Sequence, residues 1–534
     1  MEMVKPTVLG CFLLLVGTAV FAAAESPEER AIEAIRHEMA APADGSEGNP
    51  LPLVSGWSTA RAATGFAPAY QLDQLRHGQY LLPWLALWEA PVPGARDEYP
   101  HPADALYYEP TVRYAADHRL PLCIVSEEWE LLMARASPEY AKAGGSINNH
   151  VPLSPFGPVA QWYEIGREWA QHGTLQRLQK LYPDPPLVLI VQDTEYPRVS
   201  AADLGAEYVA DADAQLIAHR RAIGDAWIER YSAMLRGFRD NLDSPAWRSR
   251  VVIVGEYQFL DGAMGRFSGW GKNSLYIPGR GEPWPYGWDG VNVDFALHDF
   301  FPDADNIVWS PQIEAMNQVV ELQAVRRAKP NFWFELGVWD GEDDHGATDK
   351  RRFFAERGEP FTPQRYGAMV QFGMWLLRPR VVREFRNPTD DRIRFGPYFD
   401  QLLAVVARVH QDSTLREFWR KGRLLANPAA QHPYQENLPP DFAARPRWFL
   451  LDSPLNPTRP WQLTTELKIY SLVLERGERP HRRWLVYASS PLEELPRAEV
   501  VIPGGPHVQV RASPAGAFTL ISEEDGTART VGND

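Results

Sequence analysis

The chain has 534 residues, of which 45% are hydrophobic and 23% are charged. These proportions are those of ordinary globular proteins, and they exclude a chain that is disordered throughout. The 54 Lys and Arg residues against 69 Asp and Glu residues give a formal net charge of -15. The chain as a whole therefore has no positive field to attract nucleic-acid phosphates, and we expect no nucleic-acid partner.

Residues 1–24 have the pattern of a cleaved secretory signal peptide. Lys5 gives a weakly positive start, and residues 8–21 form an apolar run that is too short to span a bilayer. Small Ala residues at 22–24 supply the cleavage site. We therefore predict a secreted or periplasmic protein whose mature chain does not insert into the membrane. Cleavage leaves Cys123 alone, which excludes an intrachain disulfide and a cysteine-based metal site.

A polar leader at 25–45 is followed, over 46–430, by apolar runs that alternate with helical patterns. Eight runs are interpreted as strands: 52–58, 80–88, 121–128, 187–192, 251–254, 291–298, 332–338 and 381–385. For the sixth strand, 307–310 is an equal candidate. Eight alternating units predict an α/β fold, a (β/α)8 TIM barrel. An open doubly wound sheet is the alternative, and the lack of a glycine fingerprint after the first strand disfavours it.

The pattern changes again near residue 445. Short apolar strands separated by Pro, Gly and Ser turns predict a small antiparallel β-sandwich over 445–534. We expect this C-terminal region to support the barrel and not to act as an independent binding module.

Polar residues follow the predicted strands at the end where a barrel carries its reacting groups. The candidates are Glu128, Asp193, Glu195, Glu256, Tyr257, His298, Trp309, Glu335 and Trp339. Carboxylates at several strand ends suggest glycosidic bond cleavage, which needs one protonated and one ionised carboxyl group. The 19 Trp residues of the chain are more than core packing usually takes, and stacking on sugar rings is one use for the excess.

Other catalytic motifs are missing from the sequence. It contains no Gly-x-Ser-x-Gly elbow, phosphate loop or His-Glu-x-x-His. The acidic loop at 340–345 matches no EF-hand spacing and is interpreted as a solvated loop, so we expect no cofactor and no metal. Four arginines lie around strand eight: Arg378, Arg380, Arg383 and Arg386. Binding of an anionic polysaccharide would explain them, and so would ion pairs with carboxylates of the barrel.

The barrel region resembles clan A glycoside hydrolases, in which an acid/base Glu ends strand four and a nucleophile Glu ends strand seven. Glu195 and Glu335 occupy those places by strand count. The resemblance implies a retaining hydrolase with a carbohydrate substrate, in which Glu335 attacks the anomeric carbon and Glu195 protonates the leaving oxygen. The clan usually has Asn directly before the acid, whereas this chain has Thr194 there, with Asp193 one residue earlier.

The other candidates are expected to bind substrate, and Glu256 is a second candidate for a catalytic carboxylate. These substrate-binding candidates are Asp193, Glu128, Glu256, Tyr257, His298, Trp309 and Trp339. Two further functions stay open: a noncatalytic carbohydrate-binding barrel, and a polysaccharide lyase, which would need a Tyr or His base near an Arg.

Overall fold

The computed structural model describes thirteen stretches of the chain. They are residues 25–56, 68–87, 107–126, 158–171, 173–192, 214–257, 287–295, 332–337, 362–385, 392–425, 450–451, 469–490 and 493–532. Among these residues, no helix combines the length and the apolar composition that crossing a bilayer requires.

Eight parallel strands form one sheet within the described residues, and each strand from β2 to β7 lies beside the next one in the chain. They are β1 (Leu53–Gly56), β2 (Trp84–Leu87), β3 (Leu122–Ser126), β4 (Val188–Gln192), β5 (Val251–Tyr257), β6 (Gly290–Phe295), β7 (Phe332–Gly337) and β8 (Val381–Phe385). β1 pairs with β8. Val54 of β1 also forms a parallel bridge with Leu81, just before β2.

The predicted strands are all present, and β6 decides between the two candidates for the sixth in favour of the run at 291–298. The other candidate, 307–310, lies outside the described residues. The sequence explains why these runs become strands: β4 is a continuous apolar run, and Val188 to Val191 are completely buried. A strand that is apolar on both sides is typical of a parallel sheet covered by helices.

Helices separate the strands, as expected for an α/β fold. They are α1 (Pro27–Ala40), α2 (Pro68–Arg76), α3 (Glu109–Asp117), α4 (Val159–Ala170), α5 (Gly173–Leu181), α6 (Ala214–Asp240), α7 (Pro245–Arg250), α8 (Pro363–Leu377), α9 (Arg392–Gln411) and α10 (Ser413–Lys421). Ser26, Ser244, Thr362 and Asp412 cap α1, α7, α8 and α10 by accepting bonds from free backbone amides of the first turn. The helix predicted at 312–327 lies outside the described residues.

Tryptophan side chains fill the space between the elements. The eight whose surroundings the structure describes are buried: Trp84, Trp162, Trp169, Trp247, Trp288, Trp375, Trp419 and Trp484. The rings of Trp375 and Trp419 meet edge to face with their centroids 5.1 Å apart, which joins α8 to α10. These eight residues therefore serve packing, and the excess of Trp does not mean sugar stacking at their positions.

The leader segment is an integral part of the fold at the N-terminal end of the sheet. Glu38 of α1 is buried; it accepts a bond of 2.8 Å from the amide of Leu51 and pairs with Arg420. Arg380, directly before β8, donates to the carbonyl oxygens of Glu38 and Ala41 at 3.0 and 3.1 Å. Buried polar contacts thus tie the helix at 27–40 to the start of β8 and to α10.

A buried histidine lies in the same region, which we call the floor and define by Glu38, Arg380 and His410. The ring of His410 stacks on Tyr80 with centroids 3.7 Å apart, and its Nε2 atom is 2.7 Å from the carbonyl oxygen of Pro52. Burial lowers the pKa of His410 to about 4. His410 is therefore a neutral structural residue at physiological pH.

The described C-terminal strands are antiparallel and form two sheets. They are β9 (Arg423–Leu424), β10 (Leu450–Leu451), β11 (Tyr470–Arg476), β12 (Arg483–Ser489), β13 (Leu495–Val501), β14 (His507–Ala512), β15 (Ala517–Ser522) and β16 (Ala528–Val531). The larger sheet has the order β10-β11-β12-β15-β16 with β9 beside β11, and β13 pairs with β14. β9 lies inside the range predicted for the barrel, so the larger sheet takes in a segment from before residue 430.

The larger C-terminal sheet is buried on both sides. Val486, Trp484 and Ile521 share a core with Val500 and Val510 of the two-stranded sheet. On the opposite side, the Tyr487 hydroxyl donates to the carbonyl oxygen of Ala368 in α8 at 2.6 Å, and the Phe518 ring lies 5.1 Å from that of Trp375. The C-terminal region therefore packs directly on the helices that cover the parallel sheet.

Candidate active site

Polar residues lie side by side on four adjacent strands of the parallel sheet. Glu335 of β7 is in register with Asp294 of β6 and with Arg383 of β8. Arg383 is in turn in register with Ser55 of β1. Register partners on neighbouring parallel strands lie about 4.8 Å apart and share one face of the sheet. We call these four residues the polar row.

The polar row belongs to the concave face of the sheet. The hydroxyl Oγ of Ser55 lies 3.3 Å from the Sγ atom of Cys123 on β3, although β1 and β3 are not paired strands. Such a contact is made only across the inside of a curved sheet. Ser55, Cys123 and Arg383 are completely buried, so this interior is closed to solvent at their level.

The charge of Arg383 acts inside the sheet. Burial raises the pKa of the Cys123 thiol to about 11, while the Ser55 hydroxyl and the positive charge of Arg383 act in the opposite direction. The thiol is therefore protonated at physiological pH and is not a nucleophile. The register of Arg383 with Ser55, which contacts Cys123, places this positive charge on the interior face.

The next residue of β8 lies on the other face. Glu384 is in register with Gly56 of β1 and Leu336 of β7, one residue out of phase with the polar row. Burial and the negative charge of Glu384 raise the pKa of Tyr366, in α8, well above its usual range. Arg383 and Glu384 thus face the interior and the helical layer respectively, as alternation along a strand requires.

The two predicted catalytic residues differ in what the structure describes. Glu335 is the fourth of the six residues of β7, and its register places it on the interior face. Glu195 comes three residues after Gln192, the last residue of β4, and lies outside the described residues. The separation of the two carboxyl groups therefore stays a prediction.

Two further candidates are at the C-terminal end of β5. Glu256 and Tyr257 end this strand and are in register with Asn292 and Val293 of β6. Asn292 and Asp294 are two residues apart and share a face, so Glu256 takes a position on the interior face. The remaining predicted site residues lie outside the described residues: Glu128, Asp193, His298, Trp309 and Trp339.

The sequence patterns did not single out Asp294, Asn292 or Ser55. The candidates were the polar residues at the end of each predicted strand, and for the sixth strand that residue was His298. Glu335 was recognised because it is a carboxylate inside an apolar strand, Phe-Trp-Phe-Glu-Leu. Asp294 has the same kind of surroundings, in Val-Asn-Val-Asp-Phe. Applied to every strand, that signal finds Asp294.

The arginines around strand eight divide into two groups. Arg378 donates to the carbonyl oxygen of Gly422 at 2.7 Å, and Arg380 binds the carbonyl oxygens at the end of α1. Burial lowers the pKa of Arg380 to about 10. Both residues therefore hold main chain at the N-terminal end of β8, which argues against an anionic polysaccharide at their positions. Arg383 belongs to the polar row, and Arg386 lies outside the described residues.

Metal binding has no support in the described stretches of the chain. They contain no group of three or more His, Cys, Asp and Glu side chains arranged to hold an ion. The acidic loop at 340–345 lies outside them.

Comparison with known proteins gives matches only among solved structures. No protein-family model matches the chain, and no curated protein matches it. A modular endo-beta-1,4-mannanase from Cellulomonas fimi aligns with 11% identity over 95% of this chain and 97% of its own, with a TM-score of 0.35. The glycoside hydrolase domain of PgaB from Bordetella bronchiseptica aligns with 12% identity over 71% of this chain and 93% of its own, with a TM-score of 0.32.

A third match is an endo-beta-mannanase/endo-beta-glucanase from Prevotella bryantii, with 10% identity and a TM-score of 0.32. It covers 67% of this chain and 47% of that one, so the alignment spans about half of the Prevotella protein. These neighbours are glycoside hydrolases, the class that the sequence resemblance names. Their identities and TM-scores are too low to carry an argument about the site of this chain.

Proposed function

We propose that this protein is a secreted, retaining glycoside hydrolase built on a closed (β/α)8 barrel. One observation carries the proposal: eight parallel strands follow one another in chain order, with Glu335 on β7 and Glu195 just after β4. Reacting groups of such barrels gather at the C-terminal ends of the strands. The bridge between Val54 of β1 and Leu81 supports closure, because Leu81 lies just before β2, the strand at the other end of the sheet.

In this proposal, Glu335 attacks the anomeric carbon and forms a glycosyl-enzyme. Glu195 protonates the leaving oxygen and then takes a proton from the attacking water. The negative charge of Glu335 raises the pKa of Glu195 until the glycosyl-enzyme forms, so that Glu195 starts as the acid. Retention of configuration requires the two carboxyl groups to lie about 5 to 5.5 Å apart.

The other parts of the proposal concern export, substrate binding and the C-terminal region. Residues 1–24 direct export and are removed. The residues proposed to bind the carbohydrate are Asp193, Glu128, Glu256, Tyr257, His298, Trp309 and Trp339. The C-terminal sheets form a sandwich that supports the barrel, which agrees with the contact of Tyr487 with α8.

The deciding experiment offers the purified protein a panel of neutral and charged polysaccharides. New reducing ends without ultraviolet absorbance indicate hydrolysis, and the anomeric proton of the first product, followed by NMR, reports retention. Absorbing, unsaturated products would show a lyase, and binding without cleavage would show a noncatalytic barrel. Glu335→Gln is the control for contaminating activity.

Separate expression of residues 25–444 and 445–534 tests whether the C-terminal region stabilises the barrel. Removing 445–534 uncovers apolar surface on α8 around Trp375, so we expect the first piece to be insoluble. A soluble, active first piece beside a folded second piece that binds polysaccharide would show a separable binding domain.

A further inference from the structure

We infer that Arg383 is a positioning residue for Glu335, whose carboxylate it holds ionised and in one orientation from the adjacent strand. The inference rests on the proposed function, in which Glu335 is the nucleophile.

The register of the strands supplies the geometry. Glu335 and Arg383 are direct register partners on β7 and β8, and such partners are about 4.8 Å apart. A guanidinium group is long and planar, and it binds a carboxylate through two parallel hydrogen bonds. An arginine at this position is therefore within reach of a carboxylate on the next strand.

Because Arg383 is buried, we expect a carboxylate close to it. Arg383 is completely buried, and a buried guanidinium is costly unless negative charge compensates it. The charged positions on the interior face of the described strands are three acids and this one cation: Glu256, Asp294, Glu335 and Arg383. Glu384 is not on this face, since its register places it toward the helices.

The neighbours of Glu335 make a cation necessary for the proposed chemistry. Asp294 on β6 is its register partner on the other side, and Glu256 on β5 shares the same face. Like charges favour the protonated form of a carboxyl group, whereas an attacking nucleophile must be ionised. Arg383 opposes these two acids. Its charge also acts on Cys123 across the interior, whereas Ser55, its other register partner, carries no charge.

The ionisation of Glu335 can be measured without a substrate. In protein labelled with glutamate carrying carbon-13 at the side-chain carboxyl, the NMR signal of Glu335 is identified by its loss in Glu335→Gln. Replacing Arg383 by Met should raise the titration midpoint of Glu335 by about 1 to 3 pH units, the usual effect of a neighbouring charge. Arg383→Lys should raise it less, because the charge stays. Ser55→Ala is the matched control from the same row and should leave it unchanged.

An unchanged midpoint in folded Arg383→Met overturns the inference. If that variant does not fold, as judged by circular dichroism, Arg383→Lys decides: it should raise the midpoint, and an unchanged midpoint there would equally overturn the inference.

A kinetic measurement separates this inference from the proposed function. On any polysaccharide that the protein hydrolyses, the acid limb of the pH profile of kcat/KM should move upward in Arg383→Met together with the NMR midpoint, while KM changes little. If the protein cleaves no polysaccharide, the proposed function fails, and NMR still reports whether Arg383 and Glu335 are coupled. If cleavage is found and the midpoint does not move, only the inference fails.

Discussion

Charged residues have different partners on the floor and on the polar row. On the floor, Glu38 and Arg380 bind backbone amide and carbonyl groups, so each charge stabilises the chain path around it. On the polar row, Glu335 and Arg383 are register partners on neighbouring strands. β8 connects the two regions: Arg380 of the floor directly precedes it, and Arg383 of the polar row lies at its centre. Arg380 and Arg383 are only three residues apart, yet the first binds backbone carbonyl oxygens and the second is the register partner of a carboxylate residue.

The largest effect is expected from changing Glu335 or Glu195. Glu335→Gln should abolish turnover, because no covalent intermediate can form. Glu195→Ala should lower the rate by roughly 100- to 10,000-fold on substrates with poor leaving groups. Its loss should be smaller on an activated aryl glycoside, where external azide should restore activity. Steady-state kinetics with both substrate types measure these effects.

Glu256→Gln is the variant to compare with Glu335→Gln, because Glu256 is the other candidate for the nucleophile. An inactive Glu256→Gln beside an active Glu335→Gln would contradict the assignment of the nucleophile and move it from β7 to β5.

On the floor, we expect a change in stability without a change in chemistry. Glu38→Gln breaks the buried pair with Arg420 and should lower the free energy of unfolding by about 3 to 5 kcal/mol. Denaturant unfolding of Glu38→Gln and of Glu33→Gln measures the effect. Glu33 forms an exposed pair with Arg36 on the same helix, and its loss should cost under about 1 kcal/mol. Equal losses in both variants would show that the floor pair contributes no more than a surface pair.

The histidine of the floor predicts how stability depends on pH. The pKa of His410 is lowered to about 4 in the folded chain and is about 6.5 in an unfolded one. Between these values only the unfolded chain takes up the proton, so stability falls as the pH decreases from about 6.5 to about 4. This group accounts for roughly 3 kcal/mol of that fall.

Unfolding free energies at pH 7 and pH 4.5, in the parent and in His410→Gln, test this dependence. The variant should be less stable at pH 7, because it loses the stacking on Tyr80, but it should lose less stability on acidification. Equal losses on acidification in the two proteins would assign the pH dependence to other groups.

The smallest effect concerns the contact between the C-terminal sheet and α8. Tyr487→Phe removes the hydrogen bond to the carbonyl oxygen of Ala368 and should cost about 1 kcal/mol of stability. Thermal unfolding measures the change, with activity per folded molecule as the control. A loss of activity without a loss of stability would link this contact to the site.

Sequence patterns predicted the strands better than the relations between them. The strand at 381–385 has the predicted bounds, because a short apolar run between a helix end and a helix start is distinctive. The polar row could not be derived, since the offset between neighbouring strands decides that Asp294, Glu335 and Arg383 align, and no local pattern encodes this offset. The floor was missed for a similar reason: Glu38 looks like a surface residue until its distant partner Arg420 is known.

Cys123 makes the molecule convenient for site-specific labelling. A chain that begins at Glu25 contains this single cysteine, which is completely buried and has a pKa raised to about 11. Thiol reagents act on accessible thiolates, so they should leave it unmodified in the folded protein. A cysteine introduced on the surface would then carry a fluorophore or spin label at one known position without the removal of any native residue.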